Sequence, residues 1–402
     1  MAKKMLLTID GTYRNIKKAY ITVNGVYHKV KKAFITVGGV YHPVWNANPT
    51  SEPTYWGTSE NLYAPVSQLA ATSVGNYALF GGGYDPSLDN NEAFSRCEGY
   101  SSSLTHTSLT PLNATSYSAL RLAATTVGGY AIFGGGESDT LDTLDLINDF
   151  ANNHITAYNT SLTDQGTLTN SRLGVEASRL AATTVGNYAL FGGGYNKWHV
   201  FENWQYKTKE AWQNHVTAYN SSLTKSVPGG LNLGRRGLAA TTVGNYALFG
   251  GGIQSGTTSS IVDTYNTSLT KGTATSLSVP RDDLTATTVG GYAIFAGGWN
   301  DGDVNTVDAY NTSLTRVSCS PLQTARDKLN STTLGDFAFI GCSEATTNID
   351  VYDKNLTKVF ILQTLQARCF YGAATIGNYA LFGGGDVTGI GVTARVDVFT
   401  IV

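Results

Sequence analysis

The fifteen residues LAATTVGNYALFGGG at positions 180–194 occur again, letter for letter, at positions 238–252. Five looser copies begin at Leu69, Leu122, Leu284, Leu329 and Tyr371. The seven copies are spaced by 42 to 58 residues. A period of this size indicates a repeat architecture, in which each copy is one supersecondary unit that buries its apolar surface against its neighbours.

Each copy predicts a β-hairpin. A glycine-led pair such as Gly186-Asn187 separates two β-prone runs, which is the signal for a two-residue turn. The second run, YALF, is apolar on both faces, so its sheet must be covered on both sides. The first run uses Ala and Thr, which is typical of strands that crowd around a narrow axis.

Two further strands complete each repeat. A third strand, such as VDTYN from Val262, follows the glycine cluster, and Asn-Thr-Ser is a turn signal before a fourth strand that Leu-Thr opens. The last copy stops after its third strand, at VDVFTIV. Residues 57–69 match residues 272–284, so we expect the N-terminal side to supply the missing strand. The predicted fold is all-β: a seven-bladed β-propeller of four-stranded blades, the last closed by an N-terminal strand.

The segment 1–45 differs from the rest in charge and in period. Three predicted hairpins repeat every 14 residues, with turn glycines at Gly11, Gly25 and Gly39. This segment carries a net charge of +7, which leaves −9 for the rest of the chain. Because two-stranded units this short are marginal alone, we predict a small β-hairpin module for attachment or oligomerisation at 1–45, a linker at 46–56 and the propeller at 57–402. A solvated basic extension and a nucleic-acid-binding segment are the alternatives, although no recognised nucleic-acid module is present.

Several classes of function find no support in the sequence. No apolar run is long enough for a membrane span, and the start MAKKMLLTID lacks a signal peptide, so we expect synthesis in the cytoplasm. The histidines and the four cysteines show no metal-ligand spacing, no G-x-S-x-G is present, and no Lys-Ser or Lys-Thr follows the triple glycines. We predict free, inert thiols, no cofactor, no metal, no catalytic residue and no enzyme activity.

Paired glycines after the second strand, an arginine shortly before the first and an aromatic residue in the third resemble the kelch-type β-propellers, over residues 50–402. The family's fourth-strand tryptophan is absent here. The hairpins with NGV-Y and KKA-[YF] look like short repeats of tail-associated proteins from phages and prophages of Gram-positive bacteria. That resemblance implies an attachment segment ahead of a receptor-binding region.

Arginines precede most of the first strands. The first residue of each copy is called here its anchor residue. Four arginines stand three residues before it: Arg235, Arg281, Arg326 and Arg368. Two more, Arg121 and Arg179, stand one residue before it. We predict that all six ring one mouth of the central channel, where guanidinium groups could hold carboxylate or phosphate groups of a ligand. The alternative is that they pin neighbouring blades through backbone carbonyls.

Variable loops follow the glycine clusters on the same face, and binding usually resides in such loops. The longest, 195–215, contains four candidate ligand-binding residues: Trp198, Trp204, Tyr206 and Trp212. A self-packed cap is the alternative. In the loop 137–154, Leu141, Leu144 and Ile147 recur at intervals of three, which predicts a short amphipathic helix rather than a calcium site.

We therefore expect a non-catalytic binding protein, a phage or phage-like tail component that recognises a bacterial cell-surface glycan or protein through its loop-rich face. Residues 1–45 would bind a tail or baseplate protein or self-associate. An intracellular kelch-type scaffold for peptides is the main alternative, and an enzyme acting on a surface polysaccharide is the third.

Overall fold

The computed structural model describes residues 51–85, 95–112, 119–141, 147–165, 172–202 and 205–402, together with the backbone of six strands between residues 6 and 46. Throughout these ranges the regular structure is β-strand, and every paired strand is antiparallel to its partner. The all-β prediction is confirmed. A search of the same ranges for a helix long and apolar enough to cross a membrane finds none.

Seven of the sheets in these ranges share one plan and are numbered here in chain order as sheets 1 to 7. The first strands are Ala70–Val74, Ala123–Val127, Ala181–Val185, Ala239–Val243, Thr285–Val289, Ser331–Leu334 and Gly372–Ile376. The second strands are Tyr77–Gly81, Tyr130–Gly134, Tyr188–Gly192, Tyr246–Gly250, Tyr292–Ala296, Phe337–Ile340 and Tyr379–Gly383. The third strands are Cys97–Ser101, Ile155–Asn159, Val216–Asn220, Val262–Asn266, Val307–Tyr310, Asn348–Asp353 and Val396–Ile401.

Among the described residues, fourth strands occur in six of the seven sheets. In order they are His106–Ser108 in sheet 1, Lys225–Ser226, Lys271–Thr273, Arg316–Val317 and Lys358–Gln363 in sheets 3 to 6, and Pro53–Thr58 in sheet 7. In sheet 2 a bridge joins Tyr158 to Asp164 at this place, and residues 166–171 lie outside the described residues. Repeated antiparallel sheets of this kind are consistent with a β-propeller-like fold.

The strand that completes sheet 7 comes from the N-terminal side, as expected, but from a different segment. Pro53–Thr58 pairs with Val396–Ile401, in a register that sets Thr54 opposite Thr400. The predicted segment 57–69 shares only its first two residues with this strand. Part of the predicted linker 46–56 is therefore sheet. The rest of 57–69 still follows the C-terminal segment, since the Leu62 amide donates to the Ala394 carbonyl at 2.8 Å.

The turn into the fourth strand also differs from the prediction. In sheet 4, the side chain of Asn266 accepts hydrogen bonds from the amides of Ser268 and Thr270, so the chain reverses within these residues. Leu269 lies inside this turn with a φ of 60°. The fourth strand begins only at Lys271. Leu-Thr therefore belongs to the turn and does not open the strand.

The core lies between neighbouring sheets. The second strand is buried on both faces, as its apolar pattern predicts, and seven apolar clusters each join one sheet to the next. One cluster packs Leu381 and Val398 of sheet 7 against Phe80 and Tyr100 of sheet 1. Burial of these side chains between sheets is the main apolar stabilisation. The last sheet is thus in contact with the first.

The first strands contact one another in order, and the seventh contacts the first. At one end of this arrangement a hydroxyl group from each first strand donates to a carbonyl of the preceding sheet. The donors are Ser73, Thr126, Thr184, Thr242, Thr288, Thr333 and Thr375. The series returns to its start, because Ser73 donates to Thr375. This explains the threonines of the repeat, whose hydroxyl groups join each sheet to the one before it.

Ahead of the sheets, three two-stranded antiparallel units follow the predicted 14-residue period. Their strands are Leu6–Ile9 with Thr12–Asn15, Ala19–Val23 with Val26–Val30, and Lys32–Val37 with Val40–Asn46. Their predicted turn glycines lie outside the described residues. The attachment role of this segment stays a prediction.

Candidate functional site

The opposite end of the arrangement is encircled by seven equivalent residues, called here the rim. They directly precede the first strands' anchor residues, and they are Gln68, Arg121, Arg179, Gly237, Asp283, Lys328 and Phe370. The amide of each donates to the carbonyl of the rim residue before it, at 2.7 to 3.1 Å, and Gln68 closes the series by donating to Phe370. The rim surrounds the opening of a cavity of about 200 Å³ that leucines such as Leu122 and Leu238 line.

All seven rim residues have a left-handed backbone, with φ between 48° at Asp283 and 63° at Gly237. This conformation costs residues other than glycine roughly 1–2 kcal/mol. Only Gly237 avoids that cost. The rim side chains nevertheless differ from sheet to sheet, whereas the next residue is leucine in six of the seven copies. Strained backbone is typical of ligand sites, so the rim is the first candidate for function.

The same face carries the variable loops, and it is called here the mouth face. The residue before a rim residue pairs with the residue after a glycine cluster, as Ser178 does with Tyr195 and Arg236 with Ile253. The prediction that these segments share a face is therefore confirmed. The loops themselves form hairpins: Glu137–Leu141 with Ile147–Ala151, Tyr195–Glu202 with Gln205–Trp212, Ile253–Gln254 with Thr257–Thr258, and Asp386–Val387 with Gly391–Val392.

The loop 137–154 is a hairpin where a helix was predicted, so the helix prediction is wrong. Leu141 pairs with Ile147 across the hairpin, and residues 142–146, with Leu144, lie outside the described residues. The hairpin packs against its neighbour, since the Ala151 amide donates to the Asn196 side chain at 3.3 Å. Pairing with a second strand decides the structure here, and the spacing of three in the sequence does not.

The aromatic candidates lie on the long hairpin. Trp198 is half-buried, and Trp212 packs edge-on against Tyr195, with ring centroids 5.6 Å apart. Trp204 lies outside the described residues, and so does the side chain of Tyr206. Phe201, which is interleaved with these tryptophans, exposes 56% of its surface. The hairpin thus combines packed rings near its base with an exposed ring farther out.

Four predicted ligand-binding arginines are not on the rim. Arg235, Arg281, Arg326 and Arg368 are 0% exposed and lie inside sheets 4 to 7. Each forms an ion pair with an aspartate of the third strand, at 2.8 to 2.9 Å: Asp263, Asp308, Asp350 and Asp397, respectively. A guanidinium group that is fully buried and paired cannot reach a ligand at the mouth. Their assignment as ligand-binding residues is therefore corrected to an internal structural role.

The alternative prediction, that these arginines pin neighbouring blades through backbone carbonyls, does not describe their contacts either. Arg235 donates to the carbonyls of Phe249 and Gly251, which belong to its own sheet and not to a neighbouring blade. Burial lowers the pKa of Arg235, and Asp263 opposes that shift. The repeats themselves contain the signal for this pairing. Where the arginine is replaced by Ala119 or Ala177, the aspartate position holds threonine instead.

Arg121 and Arg179 do lie on the rim, as predicted. Arg121 forms an ion pair with Glu137, which also accepts a hydrogen bond from Ser178. Burial, and then the charge of Arg121, lowers the pKa of Arg179. A third cation, Arg236, was missed; its guanidinium lies 4.7 Å from the ring centroid of Tyr195. These three arginines form the basic side of the mouth.

An acidic side faces them from sheets 5 and 6, and no sequence motif marks it. Asp282 is 9% exposed, and its Oδ1 has no hydrogen-bond partner among the residues that the structure describes. Burial, and then the charge of Asp283, raises the pKa of Asp282 to about 6. Burial likewise raises the pKa of Asp327 to about 6, although Lys328 opposes the shift with an ion pair at 3.4 Å. The mouth is therefore divided into a basic and an acidic side.

We expect Asp282→Asn to stabilise the protein at neutral pH. The pKa of Asp282 in the folded state lies above the usual value near 3.9, so its ionisation costs stability as the pH rises from about 4 to about 6. The variant should melt higher by about 2 °C at pH 7.5 and show little difference at pH 3.5. Melting curves at both pH values, with the exposed Asp336→Asn as control, check this. An equal effect at both pH values would contradict it.

No group of three or more His, Cys, Asp or Glu side chains that could hold a metal ion occurs among the residues that the structure describes. The four cysteines are free, and burial raises the pKa of Cys319 to about 11 and that of Cys369 to about 12. High thiol pKa values oppose reactivity, because the thiolate is the reactive form.

No protein-family model matches the sequence, and no curated protein matches it. Among solved structures, the chain is similar to the one titled "Structure of YjhT", with a TM-score of 0.53 and 12% sequence identity. The likeness covers 85% of this chain and 99% of that protein. At this identity the likeness supports a propeller-like fold and carries no information about a ligand.

Proposed function

We propose that this chain is a non-catalytic binding protein, built as one closed seven-bladed propeller, and that its ligand docks on the mouth face. Closure is supported by the contact of sheet 7 with sheet 1 and by two hydrogen-bond series that return to their start. The observation that carries the binding role is the contrast between a constant backbone and changing side chains at the rim. Variable groups on a constant scaffold are typical of binding surfaces.

The ligand proposed is a bacterial cell-surface glycan or protein. Exposed and half-buried rings project from the mouth face at Trp198, Phe201 and Trp299, the last 45% exposed. Flat rings with polar neighbours suit stacking on sugar faces and also anchor protein partners. The proposal includes a place in the tail of a phage or phage-like particle, with residues 1–45 bound to another tail protein or to copies of themselves.

The test is binding of the purified chain to a panel of bacterial cell walls. The double variant Trp198→Ala/Phe201→Ala should lose most of the binding, because it removes two rings from the long hairpin. Tyr63→Ala is the matched control: Tyr63 is 58% exposed, and its ring packs against His106 in the outer strand of sheet 1 and not on the long hairpin. Equal binding by all three proteins, or none to any wall, would refute the proposal.

An intracellular scaffold that holds a peptide remains the second candidate, because the charged rim suits a peptide as well as a glycan. Capture of peptides from a cell lysate that depends on Arg179, together with no binding to cell walls, would favour it.

A further inference from the structure

Four charged side chains at the mouth form no ion pair within the described ranges: Arg179, Arg236, Asp282 and Asp283. Two ion pairs lie beside them, Arg121 with Glu137 and Lys328 with Asp327. Oppositely charged groups in reach of each other normally pair, because charge-assisted hydrogen bonds are the strong ones. Two cations and two anions at one opening therefore remain available to a ligand.

Like charges are crowded on each side. Burial is the largest cause of both pKa shifts; beyond it, the charges of Arg121 and Arg236 lower the pKa of Arg179, and the charge of Asp283 raises that of Asp282. Such crowding disfavours the charged forms unless an opposite charge lies close by. The nine-tenths-buried carboxyl of Asp282, with its Oδ1 unpartnered, is the clearest case. The opposite charges across the opening oppose these shifts, Glu137 and Asp283 at Arg179 and Arg236 at Asp282, but they form no ion pair with them within the described ranges.

Gly237 separates the two sides. Its amide donates to Arg179, and its carbonyl accepts from Asp283, so it is the rim residue between them. A Cβ atom at Gly237 would come within 3.0 Å of the Asp283 Oδ1 atom and 3.5 Å of the Asp282 Oδ2 atom. The missing side chain leaves space beside both carboxylates. Since paired backbones lie roughly 5 Å apart, the backbones of Arg179 and Asp283 are separated by about two such steps.

We propose that the mouth binds a zwitterionic ligand, with its acidic group held by Arg179 and Arg236 and its amino group held by Asp282 and Asp283 above Gly237. The inference rests on the proposed binding role of the mouth face and names the chemistry of the ligand there. Trp299, whose main chain pairs with that of Asp282, adds an exposed ring on the acidic side, where an ammonium group is favoured.

A ligand that carries only positive or only negative charge fits this opening less well. An anion held by the arginines would lie close to Asp282 and Asp283, and a cation held by the aspartates would lie close to Arg179 and Arg236. A metal ion would meet the same repulsion. A molecule carrying both charges satisfies the two sides at once, and the two-step separation favours one whose charges are several bonds apart.

The experiment is calorimetric titration of the full chain with ω-amino acids from glycine to 6-aminohexanoate. Pentanoate and pentylamine are the single-charge controls for 5-aminopentanoate. We expect a longer zwitterion to bind about tenfold more tightly than either control, the factor that one charge-assisted hydrogen bond provides. Arg179→Met and Asp283→Asn should each reduce that affinity about tenfold, while Lys354→Met, at an exposed ion pair, should not.

Equal affinity for the three probes, or no detectable binding by a folded protein, would overturn the inference. Folding of each variant is checked by its melting curve. If the zwitterions fail while cell-wall binding still depends on the hairpin rings, only the ligand class is wrong. If cell-wall binding fails while a zwitterion binds, the wider function is wrong and the mouth site stands.

Discussion

Replacing Arg326 by alanine is expected to lower the free energy of unfolding by about 3 kcal/mol, because the change removes the buried cation nearest to Asp350 and leaves only Lys358, 3.5 Å from the other carboxylate oxygen, to compensate that charge. The side chain of Arg326 is fully buried and donates from Nη2 to Asp350 at 2.8 Å. It also donates to the carbonyls of Gly341 and Ile340, at 2.8 and 3.2 Å. Urea unfolding of the wild type and the variant measures the loss.

The chain itself supplies the control for this prediction. Sheets 2 and 3 hold alanine and threonine at the positions of the pair, and in sheet 3 the Thr217 hydroxyl accepts from the Gly174 amide at 3.2 Å. The Asp350 carboxyl accepts from Gln323 in the same way. The double variant Arg326→Ala/Asp350→Thr should therefore be more stable than Arg326→Ala. A double variant as unstable as the single one would contradict the charge argument.

Gly251→Ala is the second substitution with a large expected effect, a loss of about 2–5 kcal/mol in the free energy of unfolding. Gly251 has a φ of 73°, where a side chain costs roughly 1–2 kcal/mol. Its Cβ would also lie 2.6 Å from the Arg281 carbonyl oxygen and 2.9 Å from a Leu284 methyl carbon, and overpacking of this kind costs roughly 1–3 kcal/mol. Urea unfolding again gives the value.

Gly389→Ala separates the two contributions. Gly389 has a similar φ of 76°, but no atom of the described part of the chain lies within 4 Å of the place where its Cβ would stand. It should lose only the roughly 1–2 kcal/mol of backbone strain. Equal losses at Gly251 and Gly389 would mean that close contact between sheets does not explain the glycine clusters.

The repeat predicts the strands because each copy contains its own turn glycine, its doubly apolar second strand and its small first strand. These are local signals. The sequence predicts the outer strand of sheet 7 too far toward the C-terminus. The match of residues 57–69 to residues 272–284 aligns two equivalent segments, but it does not show which residues pair. Pairing with Val396–Ile401 extends back to Pro53.

The candidate site was predicted less well, and burial is the reason. An arginine three residues before the anchor turns into its sheet, and one directly before it, such as Arg179, lies on the rim. Sequence spacing alone does not reveal this difference. The acidic side of the mouth contains Asp282 and Asp327, which precede the first strands of two different sheets. Because these residues are far apart in the sequence, no local motif could mark the acidic side. Comparison of the seven copies could have revealed the buried arginine–aspartate pairs.

Closure of the ring is the claim on which the rim, the mouth face and both proposals depend. The variant Thr54→Cys/Thr400→Cys tests it, since these residues lie opposite each other in an antiparallel pair, at a separation that a disulfide can span. Mass spectrometry after mild oxidation should find a peptide containing both new cysteines, in a protein that still runs as a single chain on a non-reducing gel. Linkage between two chains, or no linkage at all, would contradict a ring closed by its own N-terminal strand.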